Sequence, residues 1–264
     1  MHIRTLLDGA GMFFIPFLIV YLSVFIGRRY GTYVSKKSTD LQQSAVGAVV
    51  GSAFALLAFM LAFTFQIVTA RYDARKQLLL DEVTNIRTTY LRAGLVPEPI
   101  RSETKKLLVE YVDLRLAVAN DLSKLDYTKS RSEQILNRFW GYAETLAEQD
   151  RSSEVYALYT TSVNDLVDNH NQRITYTLEY RVPGVIIWIL ALITILSMFM
   201  LGYLFGISGK GGYRINLLLA GIFALVMFLI FALDRPEKGF AKLNQKPMIT
   251  LQHQLQEMQS TGNN

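Results

Sequence analysis

The sequence contains no cysteine, so no disulfide can staple any part of it, and the redox compartment leaves no mark. Histidine is almost as scarce. His2, His170 and His253 are far apart, and none belongs to a metal-ligand pattern such as H-E-x-x-H. The phosphate-loop spacing G-x-x-x-x-G-K-[ST] is missing as well. Gly206–Gly212 shares its glycines and a lysine with that motif but joins two apolar segments with no strand before it. These absences argue against an enzyme: no catalytic residue is assigned, and neither a cofactor nor a metal is expected.

Charge is missing in a patterned way. Asp, Glu, Lys, Arg and His are all absent from Gly9–Gly27, Leu41–Ala70, Val182–Gly209 and Ile215–Leu233, runs of 19, 30, 28 and 19 residues. A bilayer core about 30 Å thick needs roughly 20 helical residues at about 1.5 Å each. Every backbone polar group in hydrocarbon must be bonded internally, so each run is expected to be a helix. The sequence therefore predicts an all-α integral membrane protein with four transmembrane helices, at about 9–27, 44–70, 183–206 and 215–233. Aromatic residues at the ends agree: Tyr30 and Tyr33 follow the first run, Tyr180 precedes the third and Tyr203 lies near its far end. Met1–Arg4 gives the first run a positive start. Its length and the lack of an A-x-A-like site before Arg28 favour a retained anchor over a signal peptide.

The runs pair into hairpins, giving a first transmembrane hairpin at 1–70, a helical water-facing domain at 71–181, a second hairpin at 182–233 and a tail at 234–264. Arg28, Arg29, Lys36 and Lys37 mark the first link. Gly209, Lys210, Gly211 and Gly212 suit a tight turn in the second. The region 71–181 carries 16 basic and 17 acidic residues. The net charge of +5 therefore belongs to the membrane flanks, and nucleic acid is not an expected partner.

Helical periods organise that region. Leu79, Val83, Ile86 and Tyr90 continue the second span as one long helix, which Gly94–Pro99 stops. Leu107, Tyr111, Leu114 and Val118 mark the next helix. Ile135, Phe139, Tyr142 and Leu146 mark a third, with a capping box at Ser130 and Glu133. A fourth carries Val155, Tyr159, Val163, Leu166, His170 and Ile174, with His170 expected to be partly buried. The tail holds one amphipathic stretch, Leu251, Leu255 and Met258, and then a polar Ser260–Asn264 expected to be disordered. Lys and Arg near the span ends do not orient the chain, because their number and their density point to opposite sides.

The series Leu61-Ala62-Phe63-Thr64-Phe65, Arg71-Tyr72-Asp73-Ala74-Arg75-Lys76, Asp81-Glu82-Val83-Thr84-Asn85-Ile86, Tyr90-Leu91-Arg92-Ala93 with Pro97-Glu98-Pro99, and Leu233-Asp234-Arg235-Pro236 resembles the bacterial bestrophin-like family. The resemblance covers about residues 41–248. It implies four membrane helices, a cytosolic helical domain and a homo-oligomer, most simply a pentamer, around a pore lined by the second helix. It also implies a bacterial inner-membrane location, with the helical domain and both termini in the cytosol. Lipid, other copies of the chain and inorganic ions are the expected partners. The acidic calcium-binding cluster of animal bestrophins has no counterpart after the last span, and the second span lacks their proline-containing neck, so calcium gating does not carry over.

The second span bears the candidate site. At 100° per residue, Ala45, Ala48, Ser52, Phe59, Phe63, Gln66 and Ala70 share one face. Around a symmetry axis, Phe59 and Phe63 would form a hydrophobic gate, and Ser52 and Gln66 would line the pore beside it. Ordinary helix packing, with Ser52 and Gln66 bonding across helices, accounts for the same residues. Another face carries Gly47, Gly51, Ala55 and Ala58, a spacing that lets helix backbones approach closely within or between subunits. Asp73, Gln77 and Asp81 would continue the phenylalanine face into a vestibule. Arg71, Arg75 and Lys76 are expected to anchor at lipid headgroups. Asp81, Glu82 and Asn85 read as a solvated or salt-bridged face rather than an ion site. No ionisable residue lies at the centre of any span, which disfavours a proton-coupled transporter and leaves a passive channel compatible. The alternative to a channel is a non-conducting membrane-anchored interaction or sensor protein whose helical domain docks partners.

Overall fold

The computed structural model describes residues 2–35, 40–176, 182–209, 212–235 and 241–262. Lys36, Lys37, Tyr180, Lys210, Gly211 and Pro236 lie outside the described residues. Among those described, every regular element is helical. The helices are α1 (His2–Ser35), α2 (Asp40–Ala93), α3 (Ile100–Asn120), α4 (Leu125–Gln149), α5 (Glu154–Ile174), α6 (Gly184–Ser208), α7 (Tyr213–Asp234) and α8 (Lys246–Gly262). Four of them are long and apolar enough to cross a membrane, over Ala10–Ser35, within Ser44–Ala93, and over Gly184–Ser208 and Arg214–Asp234.

The chain forms two compact units. One comprises Met1–Tyr72 with Arg181–Lys242, the other Asp73–Tyr180 with Leu243–Asn264. In the first unit α1 packs on α6 and α7. The core joins Val20 and Val24 of α1, Leu57 and Val68 of α2, Leu190 and Met198 of α6, and Ala220 and Ile230 of α7. On α2 the inward residues Val50, Leu57, Thr64 and Val68 recur at the spacing of one helical face. Phe54, on the same face, meets Phe223 edge to face at 6.3 Å.

Helices α1 and α6 approach closely where Gly27 and Gly31 face Gly202 and Gly206. A Cβ added at Gly27 would collide with the Phe199 carbonyl, and one at Gly202 with the Val24 carbonyl. Lipid tails are as apolar as leucine, so membrane helices associate through close van der Waals packing, and small residues four apart allow it. Nothing lies within 4 Å of a Cβ added at Gly47 or Gly51. The glycine contact inside this chain therefore uses another pair of helices. At the same end, the Tyr30 and Tyr203 rings are 5.8 Å apart.

Helix ends have local causes. Gly209 closes α6 with φ 65°, a left-handed conformation that costs glycine little. Ser153 caps α5 by accepting from the Tyr156 N–H at 3.4 Å. The capping box expected at Ser130 and Glu133 is not a helix start. Chain entry is fixed earlier, where Asp121 accepts from the Ser123 N–H at 3.0 Å and a short 3₁₀ turn, Leu122–Lys124, leads into α4.

The second unit buries Tyr111, Phe139, Leu146, Tyr159 and Leu166. Each such side chain contributes about 1.5–3 kcal/mol relative to exposure. Leu251 and Leu255 of α8 complete this core, and the helix runs to Gly262, so Ser260–Gly262 continue it instead of fraying.

Candidate functional site

Helix α2 packs one narrow face inward and leaves most of its surface outward. Ser52, Phe59, Phe63 and Gln66 are all exposed, as are Ala45, Ala48 and Ala70. Phe59 is 66% and Phe63 49% exposed. One helical turn apart, their rings lie nearly parallel with centroids 6.5 Å apart. Ser52 returns its hydroxyl proton to the Ala48 carbonyl at 3.1 Å. Gly51 and Ala55 are exposed and Gly47 is half-buried.

Mid-span polar groups on the other candidate spans turn inward. Ser23, Thr194, Ser197 and Asn216, on the other three candidate spans, are buried, and Thr64 of α2 itself points inward. Only 11% of the most apolar window of α2 is buried, against 28%, 22% and 33% for the others. The residues proposed for a vestibule belong to the second unit. Asp73 is exposed, and Gln77 donates to Asp81 at 2.9 Å.

The second unit contains a polar cluster that helical periodicity did not reveal. Glu82 of α2 is fully buried and accepts from Arg115 Nε at 2.9 Å, Arg115 Nη2 at 3.3 Å and the Tyr111 hydroxyl at 2.9 Å. Arg173 Nε stands 3.2 Å from the same carboxylate, an ion pair without hydrogen-bond alignment. Burial pushes the Glu82 carboxyl up, but Arg115 and Arg173 together outweigh it and bring it down to about 2. His170 Nδ1 is 2.9 Å from the Tyr111 hydroxyl. Burial first, then the Arg173 charge, lower the His170 ring to about 4.

Two expectations are corrected here. Of the solvated or salt-bridged face expected for Asp81, Glu82 and Asn85, Glu82 takes the salt-bridged form but in the interior, while Asp81 is half-buried and Asn85 donates to the Asp165 carbonyl at 3.2 Å. Arg75 is 5% exposed and directs Nε to the Tyr176 carbonyl at 3.4 Å, which takes it away from lipid headgroups. His170 is buried completely, beyond the partial burial expected. No group of three or more His, Cys, Asp or Glu among the described residues could share a metal ion.

The sequence matches the bestrophin-like domain over residues 16–248. The chain belongs to the bestrophin-like family. Solved structures agree on the fold. A tryptophan-to-alanine variant of a bacterial bestrophin homologue from Klebsiella pneumoniae superposes with a TM-score of 0.66 at 14% identity, covering 93% of this chain and 97% of that one. An aspartate-to-alanine variant of the Klebsiella protein gives 0.65 at 17% identity, over 94% and 98%. A tyrosine-to-alanine variant gives 0.63 at 16% identity, over 93% and 98%. Among curated proteins no relative matches.

Within this bestrophin-like chain, the motif at the end of α7 has a visible task. Asp234 Oδ1 accepts from the Val182 N–H at 3.2 Å, just before α6 begins. A carboxylate there satisfies a backbone donor near a helix N-terminus, where the helix dipole favours negative charge.

Proposed function

We propose that this bestrophin-like protein is a homo-oligomeric ion channel, most simply a pentamer, whose pore is lined by α2. The observation that carries this reading is the outward face of α2. An exposed Gln66 amide in hydrocarbon would cost several kcal/mol without partners. Facing an aqueous axis shared with other copies, the same amide is solvated. Ser52 and Gln66 would line the pore on either side of Phe59 and Phe63. Apolar rings that narrow a pore make it costly to wet, so ions stall there until the rings move apart. Asp73, Gln77 and Asp81 would stand at the mouth, where carboxylates favour cations.

On this reading the protein sits in a bacterial inner membrane, with the second unit and both termini in the cytosol. The small-residue face, Gly47, Gly51 and Ala55, would then serve contacts between copies, since among the described residues nothing lies within 4 Å of a Cβ added at either glycine. The reading assigns no catalytic residue, and no cofactor enters it.

The assembly is tested by cysteine cross-linking. The sequence has no cysteine of its own, so Ser52→Cys introduces one thiol per copy. Oxidation in native membranes should join neighbouring copies through Ser52→Cys and leave a control at Trp188→Cys, on α6, monomeric. Trp188 is 78% exposed. Equal cross-linking at both positions, or none at Ser52→Cys, contradicts α2 as the axis-lining helix.

A further inference from the structure

The cluster around buried Glu82 carries one more positive charge than negative, with the Arg115 and Arg173 side chains 12% and 18% exposed. Glu82 supplies one carboxylate, and Arg115 and Arg173 both draw on it. Arginine does not deprotonate in proteins, so both guanidinium groups remain cations. Burial and the Arg115 charge depress Arg173 from its ordinary value, which marks a cation without enough compensation. Two largely buried guanidinium groups that share a single carboxylate gain from a further counter-ion.

Proton positions sharpen the argument. Tyr111 has one hydroxyl proton and two neighbours. The carboxylate oxygen can only accept, so the proton goes to Glu82 and the Tyr111 oxygen accepts from His170 Nδ1–H. Neutral His170 then carries its proton on Nδ1, and Nε2 presents a bare lone pair. That nitrogen is buried and has no hydrogen-bond partner. Beside it, between α3, α4 and α5, lies a cavity of about 40 Å³ lined by Arg115, Thr128, Lys129, Ser132, His170 and Arg173 together with the apolar Leu114, Val118, Leu125 and Ile174. A cavity needs about 10–15 Å³ to hold one water. The space therefore suits a monatomic or similarly small ion and is too small for a nucleotide or a phospholipid headgroup.

We propose that this cavity binds one small inorganic anion of chloride size, held by Arg173 and Lys129, with the His170 ring donating from Nε2 once it takes up a proton. The anion offsets the surplus guanidinium charge and gives His170 Nε2 a partner. The charged and titratable groups around that ring are Glu82 on α2, Tyr111 and Arg115 on α3, Lys129 on α4 and Arg173 on α5. Glu82 already compensates one guanidinium, so the anion is the added negative charge that favours protonated His170. By linkage, binding then tightens as pH falls below neutrality toward the free-site His170 value of about 4. The site is separate from the α2 face and does not rest on the channel reading.

The test uses the full-length protein in detergent, with sodium chloride replacing sodium gluconate at constant ionic strength. Thermal stability should rise with chloride, more at pH 5.5 than at pH 8. Crystals grown in bromide should show anomalous density in the cavity. Lys129→Gln, at an exposed position where Nζ also lies 4.0 Å from Glu133 Oε1, removes one charged contact and should weaken the apparent affinity about tenfold. Ser132→Leu fills the cavity without touching any charge, and should abolish both the stabilisation and the bromide signal while helical content is retained. Bromide absent from the wild-type cavity overturns the proposal. So does chloride stabilisation that persists in Ser132→Leu, because the ion would then act elsewhere. Should Ser132→Leu not fold, the wild-type bromide density and the Lys129→Gln shift decide the matter by themselves.

Discussion

Tyr111 gives its single hydroxyl proton to Glu82 across 2.9 Å, in a core where the carboxylate has no access to water. That bond joins α3 to α2 and is backed by the Arg115 and Arg173 guanidinium groups. Glu82→Gln keeps the shape but leaves two buried cations without a carboxylate, and should cost about 3–5 kcal/mol.

The same residue sets an acid limit. The native Glu82 carboxyl sits at about 2, below its ordinary 4.5. As pH falls, the unfolded chain therefore binds the proton first. The stabilisation is complete above pH 4.5 and is lost between 4.5 and 2, by about 3 kcal/mol. Thermal melts across that window should show the loss in the wild type. A Glu82→Gln protein with an unchanged slope would contradict this assignment.

Gly202 of α6 makes a second, independent prediction. Its hydrogen lies where a side chain would strike the Val24 carbonyl and the Arg28 amide of α1. Gly202→Val should force the two helices apart and destabilise the first unit by about 1–3 kcal/mol or more, measured as an earlier detergent-induced unfolding midpoint. Gly51→Val, with nothing within 4 Å in the chain, should leave the unfolding of a single copy unchanged.

Part of this architecture was legible in the residues and part was not. Charge-free runs of 19 to 30 residues have few physical outcomes, so the four spans could be read directly. The stripes through Tyr111, Phe139 and Tyr159 marked the core of the second unit, because an amphipathic helix hides its apolar face. The Glu82 cluster was invisible, since its members stand at 82, 111, 115, 170 and 173 and only packing brings them together. One signal could have pointed there: His170 lies on an otherwise apolar stripe. The α1–α6 contact did leave a trace, as Gly27 and Gly31, and Gly202 and Gly206, are each four apart. The longer apolar run on α2 drew attention to its glycines instead. The 100° projection grouped Phe59 with Phe63, and their rings do lie nearly parallel one turn apart.

Orientation follows from the bestrophin-like reading and is checked with thiols. Ser130 and Gly212 are both exposed, one on α4 and the other just before α7. In intact cells an impermeant reagent should label Gly212→Cys and leave Ser130→Cys unmodified until the membrane is opened. Labelling of Ser130→Cys alone would place the second unit outside.

The central claim is that the outward face of α2 lines an ion-conducting pore gated by Phe59 and Phe63. Both rings are largely exposed within one chain, so truncating them leaves little cavity there, and the fold should survive. The most direct measurement is ion flux into vesicles reconstituted with wild-type protein or with Phe59→Ala/Phe63→Ala, each checked for oligomeric state in the same preparation. The account predicts a measurable flux for the wild type and a larger one for the double variant at equal assembly. Correctly assembled protein that passes no small cation or anion at any applied potential, in either form, would contradict it.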